Sequence, residues 1–308
     1  MIDIGHFVLE SAAFTRATLA GKWSRWLAFV LLGLPWLTLT SLADSWKIVD
    51  GTGIHWRLVP WHEAGLLVFA GLLCNFFISG YIVRLLRGDP EPPEFNNWLL
   101  LCRDGIKVHI IPLVWILVPL VLAYIEYSTT VSELRSGSQI GSTMGWLLVL
   151  VLIIIQLIIL FIAVQYGIIG AIRFARTGSV REAFAVLAIR ETLSRIGLIN
   201  YFLGMGIITA IWLVFNFALH MLSLLPYAGP LLALALGPFL TVFCVRFIAH
   251  SCDEDLPPDG REAAAETPVK ARVVIMDTLA WFVILAGLFV LCFTPLALVI
   301  GSVTGLFL

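Results

Sequence analysis

The sequence predicts an all-α integral membrane protein of seven transmembrane helices, with its N-terminus in the cytoplasm and its C-terminus outside. Three observations predict it: too little charge for a soluble surface, apolar runs of bilayer length, and a one-sided distribution of lysine and arginine. Of 308 residues, 60% are hydrophobic and 13% charged, and the mean hydropathy is +0.99. Soluble domains carry about 25% charged residues, roughly twice as much. The apolar load excludes disorder. A net charge of −1 excludes a nucleic-acid binder, and five scattered cysteines exclude a disulfide scaffold.

A spanning helix needs about 20 apolar residues, because lipid offers backbone N–H and C=O groups no partner outside their own helix. Seven stretches qualify, at residues 26–42, 64–86, 108–127, 146–172, 199–222, 231–250 and 273–293. The fourth is the longest and is expected to tilt or project. A further apolar piece, 296–308, follows Pro295 and is too short to span alone. It either extends the seventh helix past a kink or folds back into the outer leaflet. Ser41-Leu42-Ala43 resembles a signal-peptide cleavage site, but the long preceding region carries Asp3 and Glu10, so the first helix is expected to be retained.

Every one of the 19 lysines and arginines except Lys47, Arg57 and Arg135 falls on one side of this layout. The positive-inside rule makes that side cytoplasmic. The chain then reads as a single membrane domain, 1–308. It begins with an interfacial segment (1–22), a leading helix (23–43) and an outer hairpin loop (44–63). Helical hairpins follow at 64–127, 144–222 and 230–308, the last degenerate and interrupted by a polar linker at 251–270. The outer loop alternates Trp46, Ile48, Ile54, Trp56 and Leu58 with polar residues around Asp50-Gly51-Thr52-Gly53, the pattern of a small β-hairpin.

Two cytoplasmic segments read as amphipathic helices. In 94–107, Phe95, Trp98, Leu99, Cys102 and Ile106 make one stripe, expected to lie in the headgroup layer. Ser179-Val180-Arg181-Glu182 has the pattern of a capping box opening a second helix to Arg195, with Ile189, Leu193 and Ile196 as its stripe and Glu191–Arg195 as an ion pair. Each follows a similar span end: Gly80-Tyr81-Ile82-Val83-Arg84-Leu85-Leu86-Arg87-Gly88, then Gly170-Ala171-Ile172-Arg173-Phe174-Ala175-Arg176-Thr177-Gly178. Cys244-Val245-Arg246-Phe247 ends a degenerate third copy. The expectation is a set of parallel hairpin repeats.

The stretch 70–119 resembles a family of prokaryotic, largely archaeal, membrane proteins known as domain of unknown function 4013. The residues carrying the resemblance are Gly80-Tyr81 with Arg84 and Arg87, Pro93-Glu94-Phe95-Asn96-Asn97-Trp98, and Asp104-Gly105-Ile106-Lys107. Ala175-Arg176-Thr177-Gly178-Ser179 with Glu182-Ala183-Phe184 matches the family's second cytoplasmic turn. The match covers about 60–250. It departs at Asn96-Asn97, where the family usually has two acids. The resemblance implies a polytopic fold in the plasma membrane of a prokaryote and supplies no activity.

No catalytic motif stands out. His62-Glu63 lacks the second histidine of a zincin helix, and there is no Cys-x-x-Cys, nucleophile elbow or Walker loop. His250-Ser251-Cys252-Asp253 and the His55, His62, Glu63 group fall short of four metal ligands and read as interfacial. No cofactor is expected. The candidate site residues are therefore of two kinds. Arg84, Arg87, Arg173, Arg176 and Arg246 recur at cytoplasmic helix ends, where they either complement the helix dipole or grip lipid phosphates. Asn75, Gln156, Gln165, Asn200, Asn216 and Asp277 are intramembrane polar residues, expected to bond between helices or to line a pathway. Asp277 is expected to pair with Arg173 or Arg246. Gly204-Met205-Gly206 and the pairs Gly206/Ala210, Ala233/Gly237 and Gly301/Gly305 read as close helix contacts.

These readings lead to a non-catalytic protein that binds or passes an apolar or lipidic solute, channel- or transporter-like. A structural or assembly subunit of a larger membrane complex is the alternative. Membrane lipids are the expected partners, with self-association or a larger complex as the protein contacts, and no nucleic acid.

Overall fold

In the computed structural model, six helices among the described residues are long and apolar enough to cross a bilayer: Trp23–Leu42, Trp61–Leu86, Trp98–Ser128, Val149–Thr177, Leu198–Leu222 and Ala228–Ser251. The structure describes residues 4–46, 49–50, 53–54, 59–135, 143–223, 225, 228–252 and 275–280. The elements in order are α1 (Ile4–Leu19), α2 (Trp23–Ser45), α3 (Trp61–Leu86), α4 (Trp98–Arg135), α5 (Thr143–Thr177), a 3₁₀ turn (Val180–Phe184), α6 (Val186–Ile196), α7 (Leu198–Ser223) and α8 (Ala228–Ser251). Six of the seven expected spans are thus helices. Of the seventh only 275–280 is described, and it is helical. The rest of that run, the terminal piece 296–308 with Gly301/Gly305, and most of the acidic linker lie outside the described residues. The expected outer hairpin is present as a minimal antiparallel ladder pairing Val49 with Ile54 and Asp50 with Gly53.

The bundle is tightest at its basic end. Val83, Leu85, Leu101, Ile106, Ile111, Phe174, Ala183, Ile189, Val242 and Phe247 are all buried there. Away from that end the helices turn large apolar side chains outward, among them Leu150, Ile153, Ile154, Leu157, Ile158 and Phe161 of α5 and Trp212, Val214 and Phe217 of α7. That is the surface expected where the solvent is hydrocarbon.

Two glycine-rich helix ends set this packing. A Cβ on Gly80 would overlap the Leu101 carbonyl oxygen and lie 2.7 Å from Leu101 Cα, and one on Gly105 would lie 2.7 Å from the Phe76 carbonyl carbon. So α3 and α4 meet backbone to backbone. At the matching position of α5, a Cβ on Gly170 would lie 2.5 Å from Ala183 O in the 3₁₀ turn. Eight residues on, Gly88 (φ 86°) and Gly178 (φ 70°) take the left-handed conformation just past each helix, which glycine adopts without a Cβ penalty.

These contacts correct two sequence expectations. The stripe at 94–107 is no separate interfacial helix: α4 starts at Trp98 and runs unbroken into the span. Its first turns are pressed against α3, so Leu101, Cys102 and Ile106 enter the core while Trp98 and Leu99 stay exposed. Ahead of it, Phe95 stacks on Tyr81 at 4.2 Å, Phe29 abuts both rings, and the Tyr81 hydroxyl donates to Pro93 O at 3.1 Å. Nor does Ser179 cap a helix by its side chain; the segment is a 3₁₀ turn, and α6 begins only at Val186. The capping glutamate is diverted, since Arg173 Nη2 donates to Glu182 Oε2 at 2.6 Å. The expected stripe holds, with Ile189 buried and Leu193 and Ile196 packed beside it, and Arg195 pairs with Glu191.

The amphipathic α1 lies across the basic end of α8. Its Phe14 and Leu19 are buried, and Thr15 and Thr18 return their hydroxyls to carbonyls four residues back. Glu10 meets His250 Nε2 at 2.8 Å, Phe7 stacks on that imidazole at 6.1 Å, and the Arg246 guanidinium sits 4.2 Å above the Phe14 ring. Trp26 of α2 donates to Ala235 O at 2.9 Å, one residue past the carbonyl that Pro238 leaves without its helical donor.

Candidate functional site: the arginine clasp and the apolar groove

All five candidate arginines act on the chain itself. Arg84 donates to Glu94 O at 2.8 Å and Asn96 O at 3.1 Å and also reaches Asn96 Oδ1, tying the loop before α4 to the end of α3. Arg176 donates to Ala249 O at 2.9 Å and Cys252 O at 2.8 Å. These bonds tie the end of α5 to the C-terminal end of α8, where Ala249 O also accepts the Cys252 N–H at 3.2 Å. Arg246 donates to Asp89 O at 2.9 Å, and Arg173 bonds Thr192 Oγ1 at 3.1 Å besides Glu182. Together they join the ends of α3, α5 and α8 and the turns between them.

Arg87 belongs to a longer charge network. It meets the buried carboxylate of Asp104 at 3.4 Å, and Arg103 donates to the other Asp104 oxygen at 2.9 and 3.0 Å. Asp277 lies 2.8 Å from Lys107 Nζ and 3.9 Å from Arg103 Nε. Its expected partners were Arg173 or Arg246; those are engaged elsewhere, and the two cations of α4 take it instead. Arg103, Asp104 and Lys107 share the polar face opposite the 94–107 stripe, and the i, i+4 spacing of Arg103 and Lys107 aims both charges the same way, yet none of the three is among the candidate site residues predicted from sequence.

The intramembrane polar residues are each bonded. Asn75 Nδ2 donates to His109 Nε2 at 3.0 Å across α3 and α4, while His109 Nδ1 reaches Gly105 O at 2.7 Å. A carbonyl only accepts, so the ring is protonated on Nδ1, and Nε2 is free to accept. Tyr201 donates to Gln165 Oε1 at 2.7 Å between α7 and α5, and Gln156 donates to Pro119 O between α5 and α4. Asn200, in the first turn of α7, donates to Ile196 O at the end of α6, whereas Asn216 corrects the expectation: it returns its amide to Trp212 O of its own helix. Helix geometry puts the carbonyl four residues back within reach of a short amide, so no second helix is needed.

The small-residue pairs are a further correction. An added Cβ at Gly206 or Gly237 would meet nothing within 4 Å, and one at Gly204 would make ordinary contact with Ser251 Oγ at 3.6 Å and Phe247 Cε1 at 4.0 Å. Gly33 and Gly71 are covered by the side chains of Leu234 and Trp36, and the close approaches to backbone occur at Gly80, Gly105 and Gly170.

One cavity of about 220 Å³ opens between α4 and α5, lined by Val108, Pro112, Ile116, Ala163, Val164, Gly167, Ile168 and Ala171. Its origin is side-chain volume: Gly167 and the two alanines face a proline, and a Cβ on Gly167 would stand at ordinary contact, 3.7 Å from Pro112 Cα. The lining has no charged or hydrogen-bonding side chain. Among the described residues, no group of three or more His, Cys, Asp or Glu side chains is placed to hold a metal. His250 faces Glu10, while His55 and Asp253 lie outside the described residues.

Long apolar helices, interhelical hydrogen bonds in the span and a charged clasp at one end define a multi-pass helical membrane protein. The DUF4013 family model, that of a protein of unknown function, matches residues 64–224, α3 through α7 with both glycine-ended helices. The match covers just over half of the chain, and the protein belongs to that family. No curated protein and no solved structure matches it.

Proposed function

We propose that this protein binds an apolar or lipidic molecule from within the bilayer, in the groove between α4 and α5, and holds or passes it without catalysis. The observation that carries the reading is the wholly apolar lining of that groove beside helices whose polar side chains are bonded to side chains or backbone of neighbouring helices. An ion or sugar needs oxygen or nitrogen ligands along its route, whereas an acyl or isoprenoid chain needs only a lateral cleft. The layout we infer is N-terminus in the cytoplasm, clasp on the cytoplasmic face, a seventh span in 273–293 and a C-terminus outside, in the plasma membrane of a prokaryote. The equivalent glycines Gly80 with Gly170 and Gly88 with Gly178 support descent of the two hairpins from a parallel repeat.

The test is the mass of the particle extracted gently with bound lipid retained. The expected result is one held lipid per chain in the wild type and in Gly167→Ala, lost in Gly167→Phe, whose ring fills the groove. Equal lipid retention by Gly167→Phe would overturn the reading. The second reading, an assembly subunit, is favoured by the outer half of α5, where successive residues Leu150–Ile155 are exposed around the helix. A fixed stoichiometry with other proteins in the same measurement would establish it.

A further inference from the structure

The short helix α6 sits at the level where the bundle leaves hydrocarbon. Its Ile189 is buried with Ile169 of α5 and Tyr201 of α7, and Arg173 of α5 donates to its Thr192 at 3.1 Å. From Thr143 to Ile172 α5 carries no charge, and Arg173 is its first. Charged side chains avoid the acyl layer, so α6 lies at the boundary between acyl chains and headgroups. The 3₁₀ turn before it is equally sunken: Ala183 O accepts from Trp115 Nε1 at 3.4 Å, about two turns into the apolar run that follows Lys107. A single residue, Gly197, then joins α6 to the span α7.

The outer face of α6 has two halves. At about 100° per residue, Val186, Leu187, Arg190 and Ser194 share one arc, and Glu191 and Arg195 take the next. The second arc is internally paired, Arg195 with Glu191. The first is not. Leu187 is 82% exposed, as is Ile199 at the head of α7, and Val186 and Leu198 are exposed beside them. Arg190 is exposed, as is Arg181 in the turn, and neither guanidinium meets an acceptor among the described residues. The five arginines of the clasp, by contrast, all bond to the chain.

We propose that α6, with the turn before it and the first residues of α7, is a binding surface for anionic phospholipid. Leu187, Val186, Leu198 and Ile199 enter the acyl boundary, and Arg190 and Arg181 meet the lipid phosphates. Two uncompensated cations beside large apolar side chains at this depth call for an occupant that is anionic at one end and apolar at the other. The surface needs only that the basic end meets a bilayer face. It is separate from the groove between α4 and α5, whose test acts through Gly167.

The experiment uses the full chain in phosphatidylcholine vesicles with a trace of spin-labelled phosphatidylglycerol or spin-labelled phosphatidylcholine. Labelled phosphatidylglycerol is expected to associate with the protein severalfold more strongly. Arg181→Gln with Arg190→Gln is expected to lower that preference by about half, the rest coming from Arg16 and Lys22, which are also exposed. Glu191→Gln with Arg195→Gln, which keeps the net charge, is expected to leave it unchanged. A second readout does not depend on headgroup charge. In a chain freed of native cysteines, a spin label on Leu187→Cys is expected to be reached by oxygen and hidden from a water-soluble nickel chelate, and one on Glu191→Cys the reverse. Equal association of the two lipids, or a preference indifferent to the loss of Arg181 and Arg190, would overturn the proposal. So would a Leu187→Cys label reached mainly by the chelate, or by neither reagent, as beneath a protein partner or another segment of the chain.

Discussion

Replacing a hydrogen of Gly80 by a methyl group puts a carbon 2.7 Å from Leu101 Cα, against backbone that cannot rotate away. Gly80→Ala is therefore expected to destabilise by about 1–3 kcal/mol or to prevent folding, the usual cost of overpacking. Gly237→Ala, which meets nothing within 4 Å, is expected to leave the melting temperature in detergent unchanged; equal melting of the two variants would discount the backbone contact. Arg176 offers a second residue-scale test. Removing its guanidinium takes a charged donor from two carbonyls at the end of α8, and Arg176→Gln is expected to cost about 1.5–3 kcal/mol and to speed hydrogen exchange there. That arginines end these helices was legible in the sequence. Their acceptors were not, because Ala249 and Cys252 act through backbone oxygens 73 and 76 residues away, and a carbonyl leaves no mark on residue type.

Among the elements, α1 is held by fewer contacts than any span, chiefly Glu10 to His250, Phe7 on the imidazole and Phe14 beneath Arg246. Glu10→Ala is expected to increase tryptic cleavage at Arg16 and Lys22 severalfold while leaving α3 and α4 intact. Cleavage unchanged from wild type would assign the docking of α1 to its apolar face alone. The spans themselves were legible because twenty apolar residues have few other fates in a chain this poor in charge. The two amphipathic segments were legible as patterns but not as placements. The 94–107 stripe reads equally well facing headgroups or protein, and only Gly105 against Phe76 decides it. The capping-box pattern of Ser179 and Glu182 is local, whereas the stronger partner, Arg173, lies on the preceding helix.

For the whole molecule, the inferred orientation is open to direct test in a chain freed of native cysteines. Ser138→Cys is expected to react with a membrane-impermeant maleimide in intact cells, and Ser179→Cys only after permeabilisation; the reverse pattern would invert the topology. The groove was not legible in the sequence. It arises where Pro112, Ala163 and Gly167 of two helices meet, and each alone is an ordinary residue of a membrane helix.

The contact between Trp26 and Ala235 spans 209 residues, and it bears on how the chain is made. At about 5–20 residues per second, roughly 10–40 s pass between synthesis of α2 and synthesis of its partner on α8. Through that interval α1 and α2 must wait in the membrane without the helix that completes their packing. Assembly then closes from the last helix back onto the first, so a ribosome stalled before residue 228 is expected to leave an inserted chain whose N-terminal helix is still open to protease.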